Sequence, residues 1–329
     1  MKKKLLIVIA FALGVVFFVY NRTQSNAWGF WAHQRINRLA VFTLPPEMIV
    51  FYKYNIEYIT EHAVDPDKRR YASDNEAPRH YIDIDHYDTY PFTAVPHRWN
   101  DAVAKYTEDT LVAYGIVPWH IEVMLKRLTS AFEKGNPQEI LRVSADFGHY
   151  IADSHVPLHT THNYNGQLTN QKGIHGFWES RLPELFADNY DYFVGKAEYI
   201  KNVNEFVWDR VLESAAATDS VLYLEAKLNK LYPSDQKYGF EERNNITTRT
   251  YSAEYSSEYH QMLDDMVERR MRRAILSVGS LWYTAWVDAG KPDISNLGEY
   301  IPTEEDMEEQ KELDNLYSTG KIKGREHED

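Results

Sequence analysis

The sequence predicts an all-α protein. Apolar residues recur at helical spacing along most of the chain after residue 27, prolines stand near the ends of two of those patterns, and no series of alternating strands and no internal repeat is visible. Residues 28–43 are amphipathic and stop before Pro45-Pro46. Residues 101–113 and 119–134 each carry a helical apolar pattern. Residues 138–153 run through Ile140, Leu141, Val143, Ala145, Phe147, Tyr150 and Ile151, and Pro157 ends the pattern because it has no N–H to donate. Residues 171–186 form the next helix and 203–231 contain helical stretches. Residues 252–289 read as one long pattern through Met262, Met266, Met271, Ile275, Val278, Leu281 and Trp282. Residues 71–98 are irregular and rich in Pro, Asp and Tyr, a segment expected to lie over the surface near the site. After about Pro292 the apolar periodicity is lost, so an acidic tail, disordered or loosely docked, is expected over 291–329.

The first 27 residues read as a targeting segment. Lys2, Lys3 and Lys4 precede an apolar run over residues 5–20, and Ser25 and Ala27 occupy the small-residue positions before a cleavage point. The run is short for a spanning helix. An exported protein, periplasmic or secreted, with Trp28 as its mature N-terminus and one domain over residues 28–290, is the expectation. The chain has no cysteine, which excludes disulfides, a cysteine nucleophile and thiolate metal ligation. The net charge of −13 argues against broad binding to duplex DNA or an anionic membrane. Residues 303–329 alone hold ten acidic and four basic residues, so nearly half of that excess lies in the tail. Nothing in the sequence implies a protein partner.

The chemistry concentrates between His149 and Glu179. His149 and Asp153, then His175 and Glu179, form two His–carboxylate pairs at i,i+4, the spacing that stacks two side chains on one helix face. His159 follows Pro157 and can turn back toward the same cleft. A single such pair is usually a solvated surface pair, but surface pairs have no reason to cluster. Imidazole with carboxylate suits zinc, and two pairs around a further histidine suggest more than one ion. Asp153 has two oxygens and could bridge. His155 and His162 read as supporting residues, not ligands.

With these motifs the chain resembles the superfamily of bacterial zinc-dependent phospholipases C and single-strand-specific fungal and plant nucleases. His-x-x-x-Asp followed by Pro-Leu-His matches His149, Asp153 and His159; the closing His-x-x-x-Glu/Asp matches His175 and Glu179; His80 in His-Tyr-Ile-Asp and Trp28 with His33 match further ligands. Asp67, in Asp-Lys-Arg-Arg70, matches an Asp-x-x-Arg ligand, with Asp65 as the alternative. The resemblance covers about residues 28–290. It implies a single multi-helix domain with three zinc ions in one cleft. One would be held by Asp67, His80, His149 and Asp153, a second by His159, His175 and Glu179, and a third by His33, Asp153 and the α-amino nitrogen and carbonyl of Trp28. Arg70 is a candidate for stabilising transition-state charge, with a salt bridge inside the 65–70 run as an equal alternative.

Two such ions, roughly 3.5–4 Å apart, suit hydrolysis of an anionic phosphodiester. The expected function is a zinc phosphodiesterase, acting on a phospholipid head group or on single-stranded nucleic acid. The 15 residues between His159 and His175, and Glu rather than Asp at 179, resemble the phospholipases; the close spacing of Trp28 and His33 resembles the nucleases. The phospholipase C-like reading is preferred by a small margin. A non-catalytic exported zinc protein is the rival from another class.

Overall fold

A central helix with apolar residues on more than one face organises the structure. The computed structural model describes residues 28–243 and 246–324, so the targeting segment and its cleavage point lie outside the described residues. The described chain is mostly helical. The central helix, α8 (Pro137–Asp153), starts at Asn136, whose side chain accepts from Glu139 N, with Pro137 at the first helical position. It packs against α1 (Trp28–Ala40), α7 (Val117–Lys134) and α13 (Met266–Asp288). Ile140, Leu141, Ala145, Phe147 and Ile151 are buried along it, and Ala274, Ile275, Val278, Leu281 and Trp282 answer from α13. Each of the buried Leu, Ile, Val and Phe side chains among these contributes about 1.5–3 kcal/mol by leaving water. That burial does for a cysteine-free chain what disulfides do elsewhere. Trp282 Nε1 donates to Ser144 O at 3.1 Å, so the indole is buried without an orphaned donor.

The approach of α1 to α8 depends on Gly148. A Cβ there would overlap the amide of Asn37, which itself donates to Ala145 O at 3.0 Å. This close crossing brings the ring of His33 on α1 onto His149 on α8, stacked with centroids 3.9 Å apart.

Short helices α2 (Pro46–Tyr54), α3 (Ile56–Glu61) and α4 (Asp65–Arg69) follow α1. The helix expected over 101–113 is two, α5 (Trp99–Tyr106) and α6 (Glu108–Tyr114). Thr107 breaks it with φ +70° and caps α6 through its side chain. The expected 252–289 helix is likewise two, α12 (Ala253–Met262) and α13, because Asp264 and Asp265 adopt φ +49° and +57°. Aspartate tolerates this conformation better than most residues, and the apolar pattern does not register it. Residues 71–98 are irregular, and 85–98 lie mostly at the surface as expected, but 76–84 turn inward: Ile82 and Ile84 are fully buried and His80 nearly so.

α11 (Val203–Leu231) is a continuous helix of 29 residues. It braces the bend after α8: Ser214 Oγ donates to Ser154 O at 2.6 Å and Thr218 Oγ1 to Pro157 O at 2.8 Å. The sequence reading lacked a two-stranded antiparallel hairpin, β1 (Tyr238–Arg243) and β2 (Ile246–Tyr251). The acidic tail also differs from expectation: residues 304–319 form α14 (Glu304–Thr319), opened by a capping box between Thr303 and Asp306. No helix among the described residues is long and apolar enough to cross a membrane.

Candidate metal centre

Each ligand candidate is held by a different local device. His149 and Asp153 stand one turn apart at the end of α8. Pro157 begins a 3-10 turn, Pro157–Thr160, that carries His159 back toward Asp153. Asn165 Oδ1 accepts from Gly173 N at 2.9 Å and from His175 N at 3.3 Å, starting the short helix α9 (Ile174–Gly176). Gly173, at φ +89°, supplies the left-handed residue before it. The chain then passes through a π-helical turn, Phe177–Arg181, before α10 (Leu182–Phe186). Such turns recur at functional sites. Here the turn carries Glu179, whose Oε2 lies 2.8 Å from His175 Nε2. The hairpin supports this turn from behind: Phe177 stacks on Tyr251 at 3.8 Å, and Arg181 pairs with Glu241 and donates to Tyr251 O.

The side chains converge in one cleft. Asp153 Oδ2 lies 3.0 Å from His80 Nδ1 and 3.4 Å from His149 Nε2, while its Oδ1 lies 3.4 Å from His33 Nε2 and 3.7 Å from His159 Nδ1. Glu179 lies 3.3 Å from His159 Nε2 and 3.5 Å from His33 Nε2. Asp67 Oδ1 lies 3.6 Å from His149 Nε2, 3.7 Å from His80 Nδ1 and 3.8 Å from Arg70 Nη1. Asp65 is turned to His62 at 2.6 Å and to Lys68 at 3.4 Å, so Asp67 is the aspartate facing the cluster. Trp28 opens α1, and the adjoining Gly29 and Phe30 line the cleft beside His33.

Four sets of ligand atoms each lie within 4.8 Å of one another: His33, Asp67 and His149; His80, His149 and Asp153; His159, His175 and Glu179; and His33, Asp153 and Glu179. These groups could hold metal ions, and three further observations fit that use. Several of the approaches above, at 3.4–3.7 Å, exceed normal hydrogen-bond length, whereas His80–Asp153 at 3.0 Å and His175–Glu179 at 2.8 Å are within it, so the ligand atoms crowd together while only partly bonded to one another. Three imidazoles are oriented by backbone carbonyls on Nδ1, namely His149 on Ala63 O at 2.9 Å, His159 on His80 O at 2.6 Å and His175 on Tyr164 O at 3.2 Å. Each thereby aims Nε2 into the cleft, the usual orientation of a metal-binding histidine. The buried Nδ1 of His33 has no hydrogen-bond partner.

The carboxylates and imidazoles of the cleft shift one another's protonation. Burial alone would raise the Asp153 pKa, but His149 and His159 hold it well below the usual carboxylate range. Glu179 is likewise pushed up by burial and pulled well down by His159 and its neighbours. Burial lowers the His149 pKa, and the carboxylates of Asp153 and Asp67 outweigh it, raising it to about 9. Ionised carboxylates at this depth are costly unless cations answer them.

Of the other histidines, His155 is buried among backbone and Ser277 contacts, and His162 pairs with Asp85 at 2.8 Å at the surface. Both stand outside the cluster. Sequence reasoning missed Glu76. This buried carboxylate accepts from Tyr150 OH and pairs with Arg79 at 2.7 Å, and its Oε1 lies 3.7 Å from His80 Nε2. His80 thus differs from the carbonyl-oriented histidines: its outward nitrogen faces a carboxylate. The signal was present, since Glu76 precedes His80 at the i,i+4 spacing of the other pairs, but the segment lacks helical periodicity. If the cluster that includes His80 holds an ion, Glu76→Gln is expected to weaken metal binding there by about 10–100-fold, the usual cost of losing a group that orients a ligand. Competition against a chromophoric chelator would measure this, and an unchanged affinity would leave Glu76 a purely structural ion pair.

No family model and no curated protein matches the chain.

Proposed function

We propose that the protein is an exported zinc-dependent phosphodiesterase, phospholipase C-like in substrate. The observation that carries this is the convergence of several His–carboxylate sets on one cleft with Asp153 shared between two of them. A structural zinc needs a single closed set of four ligands, so this cluster exceeds what folding requires. The motif resemblance described above supports the same reading. Three zinc ions would be held by Asp67, His80, His149 and Asp153; by His159, His175 and Glu179; and by His33 and Asp153 with the terminal amine of Trp28. When bound, zinc supplies Lewis-acid polarisation of a phosphoryl oxygen and activation of water.

The chain's own groups would divide the remaining work. Asp67 is the partly exposed carboxylate of the cluster, with 22% of its side chain accessible, and is suited to take a proton from attacking water and return it to the leaving alkoxide. Arg70 lines the same cleft and is suited to donate to a non-bridging phosphoryl oxygen. The ion pair of Arg70 with Asp67 would hold both in position.

Choice of substrate rests on the short 160–174 segment and on Glu179; the Trp28–His33 spacing favours the nuclease alternative. Zinc-replete protein beginning at Trp28 should release phospho-head group and diacylglycerol from phosphatidylcholine or phosphatidylethanolamine faster than it cleaves single-stranded DNA at matched diester concentration. Mononucleotide release without lipid hydrolysis would reverse the substrate. Failure on both, and on a generic aryl diester, would leave a non-catalytic zinc protein.

A further inference from the structure

The C-terminal segment packs against the mouth of the cleft. Along α14 the residues facing the body are Asp306, Gln310, Leu313 and Tyr317, a helical stripe, while the helix as a whole carries seven acidic residues and one lysine. It is anchored at several places. Asp306 accepts from Tyr300 OH and Gln138, Gln310 Nε2 donates to Asp65 at 3.2 Å, and Lys68 pairs with Asp314 at 2.8 Å. Beyond the helix, Lys323 N donates to Arg70 O at 2.9 Å and its ammonium to Ala72 O at 3.0 Å. Between these anchors Tyr317 packs against Phe30 at 5.3 Å and edge-on to Tyr71 at 5.1 Å. Tyr317 and Ile322 line the cleft that also contains Asp67, Asp153, His159 and Glu179.

We propose that this segment is a specificity wall, with Tyr317 and Ile322 as its inner face. It closes the cleft on the Arg70 side, so that the cleft accepts one compact diester and excludes a strand that must run past the ligands. Proteins that bind single strands need an electropositive groove tracking several consecutive phosphates. Here the groove is blocked on one side, and the helix that blocks it turns acidic residues outward, so the flanking phosphates of a strand meet like charge. Several anchors around the tyrosine make it a fixed wall. This inference rests on the phosphodiesterase reading and names its substrate class.

The test compares the parent with Tyr317→Ala and with a chain ending at Pro302, all zinc-replete and beginning at Trp28. The ratio of kcat/KM for a single-stranded oligonucleotide to that for a short-chain phosphatidylcholine should rise about tenfold in both variants, the scale of a pocket contact. A ratio unchanged or lowered in Tyr317→Ala would overturn the wall, even if the shorter chain fails to fold. A second measurement needs no turnover: a chelator should strip zinc several-fold faster from the variants, and an equal stripping rate would also overturn it. If no form hydrolyses any diester, the phosphodiesterase reading fails while the stripping rates still decide whether the segment covers the cleft.

Discussion

Asp153→Asn is expected to abolish turnover and to lower zinc content by more than one ion. The carboxylate sits at the centre of the cluster, 1% exposed, with His80, His149, His33 and His159 all within 3.7 Å of its two oxygens. Asparagine keeps the shape and one acceptor oxygen but replaces the other with a donor amide and removes the charge. Two of the convergent ligand sets share Asp153, so both lose their anionic member together. The loss in kcat should exceed about 100-fold, the upper range for removing a group that only orients a ligand. Elemental analysis beside a diester assay would check both parts. Retention of full zinc content with low activity would mean that Asp153 does not bridge.

Removal of zinc should cost stability as well as activity. The cleft holds Asp67, Asp153 and Glu179 close together at the ends of packed elements, with burial opposing the charge of the last two. An ion that binds only the folded chain stabilises it by about 4 kcal/mol when its free concentration is 1,000 times Kd. For a domain of this size each kcal/mol moves the midpoint by roughly 2–4 °C, so chelation should lower Tm by on the order of 10 °C, restored by zinc. Thermal unfolding followed by circular dichroism, with and without chelator, measures this. Identical curves would mean that the histidines and carboxylates satisfy one another as ion pairs and need no metal.

The parts of this arrangement legible in the sequence are those that repeat. The His–carboxylate pairs at i,i+4 and the His after Pro157 needed only helical periodicity and a proline stop, and the structure brings His33, Asp67, His80, His149, Asp153, His159, His175 and Glu179 together. The breaks at Thr107 and at Asp264-Asp265 were invisible because single left-handed residues do not disturb an apolar pattern. The hairpin had a local signal, two runs rich in aromatic and β-branched residues around Asn244-Asn245, but one short pair is easily absorbed into a helical reading. Glu76 was missed because its i,i+4 spacing to His80 lies in a segment without helical periodicity, and the fold is what sets it behind His80. The tail was misread for a related reason. α14 buries no residue of its own, so its composition resembles a solvated segment, and it is held by Gln138 and Lys68, with Asn55 and Arg70 holding the segments before and after it, all residues far away in sequence.

A three-ion centre completed by a processed N-terminus is what the proposed chemistry depends on. Elemental zinc analysis of protein beginning at Trp28, purified with zinc present and freed of loosely bound ions, tests it most directly. About three zinc ions per chain are expected from the motif resemblance, and the imidazole and carboxylate donors that converge in the cleft suit zinc. The same chain with residues 21–27 retained should hold about one fewer, because a peptide nitrogen does not replace a free amine as a ligand. One zinc or fewer in the processed protein would rule out the multinuclear centre.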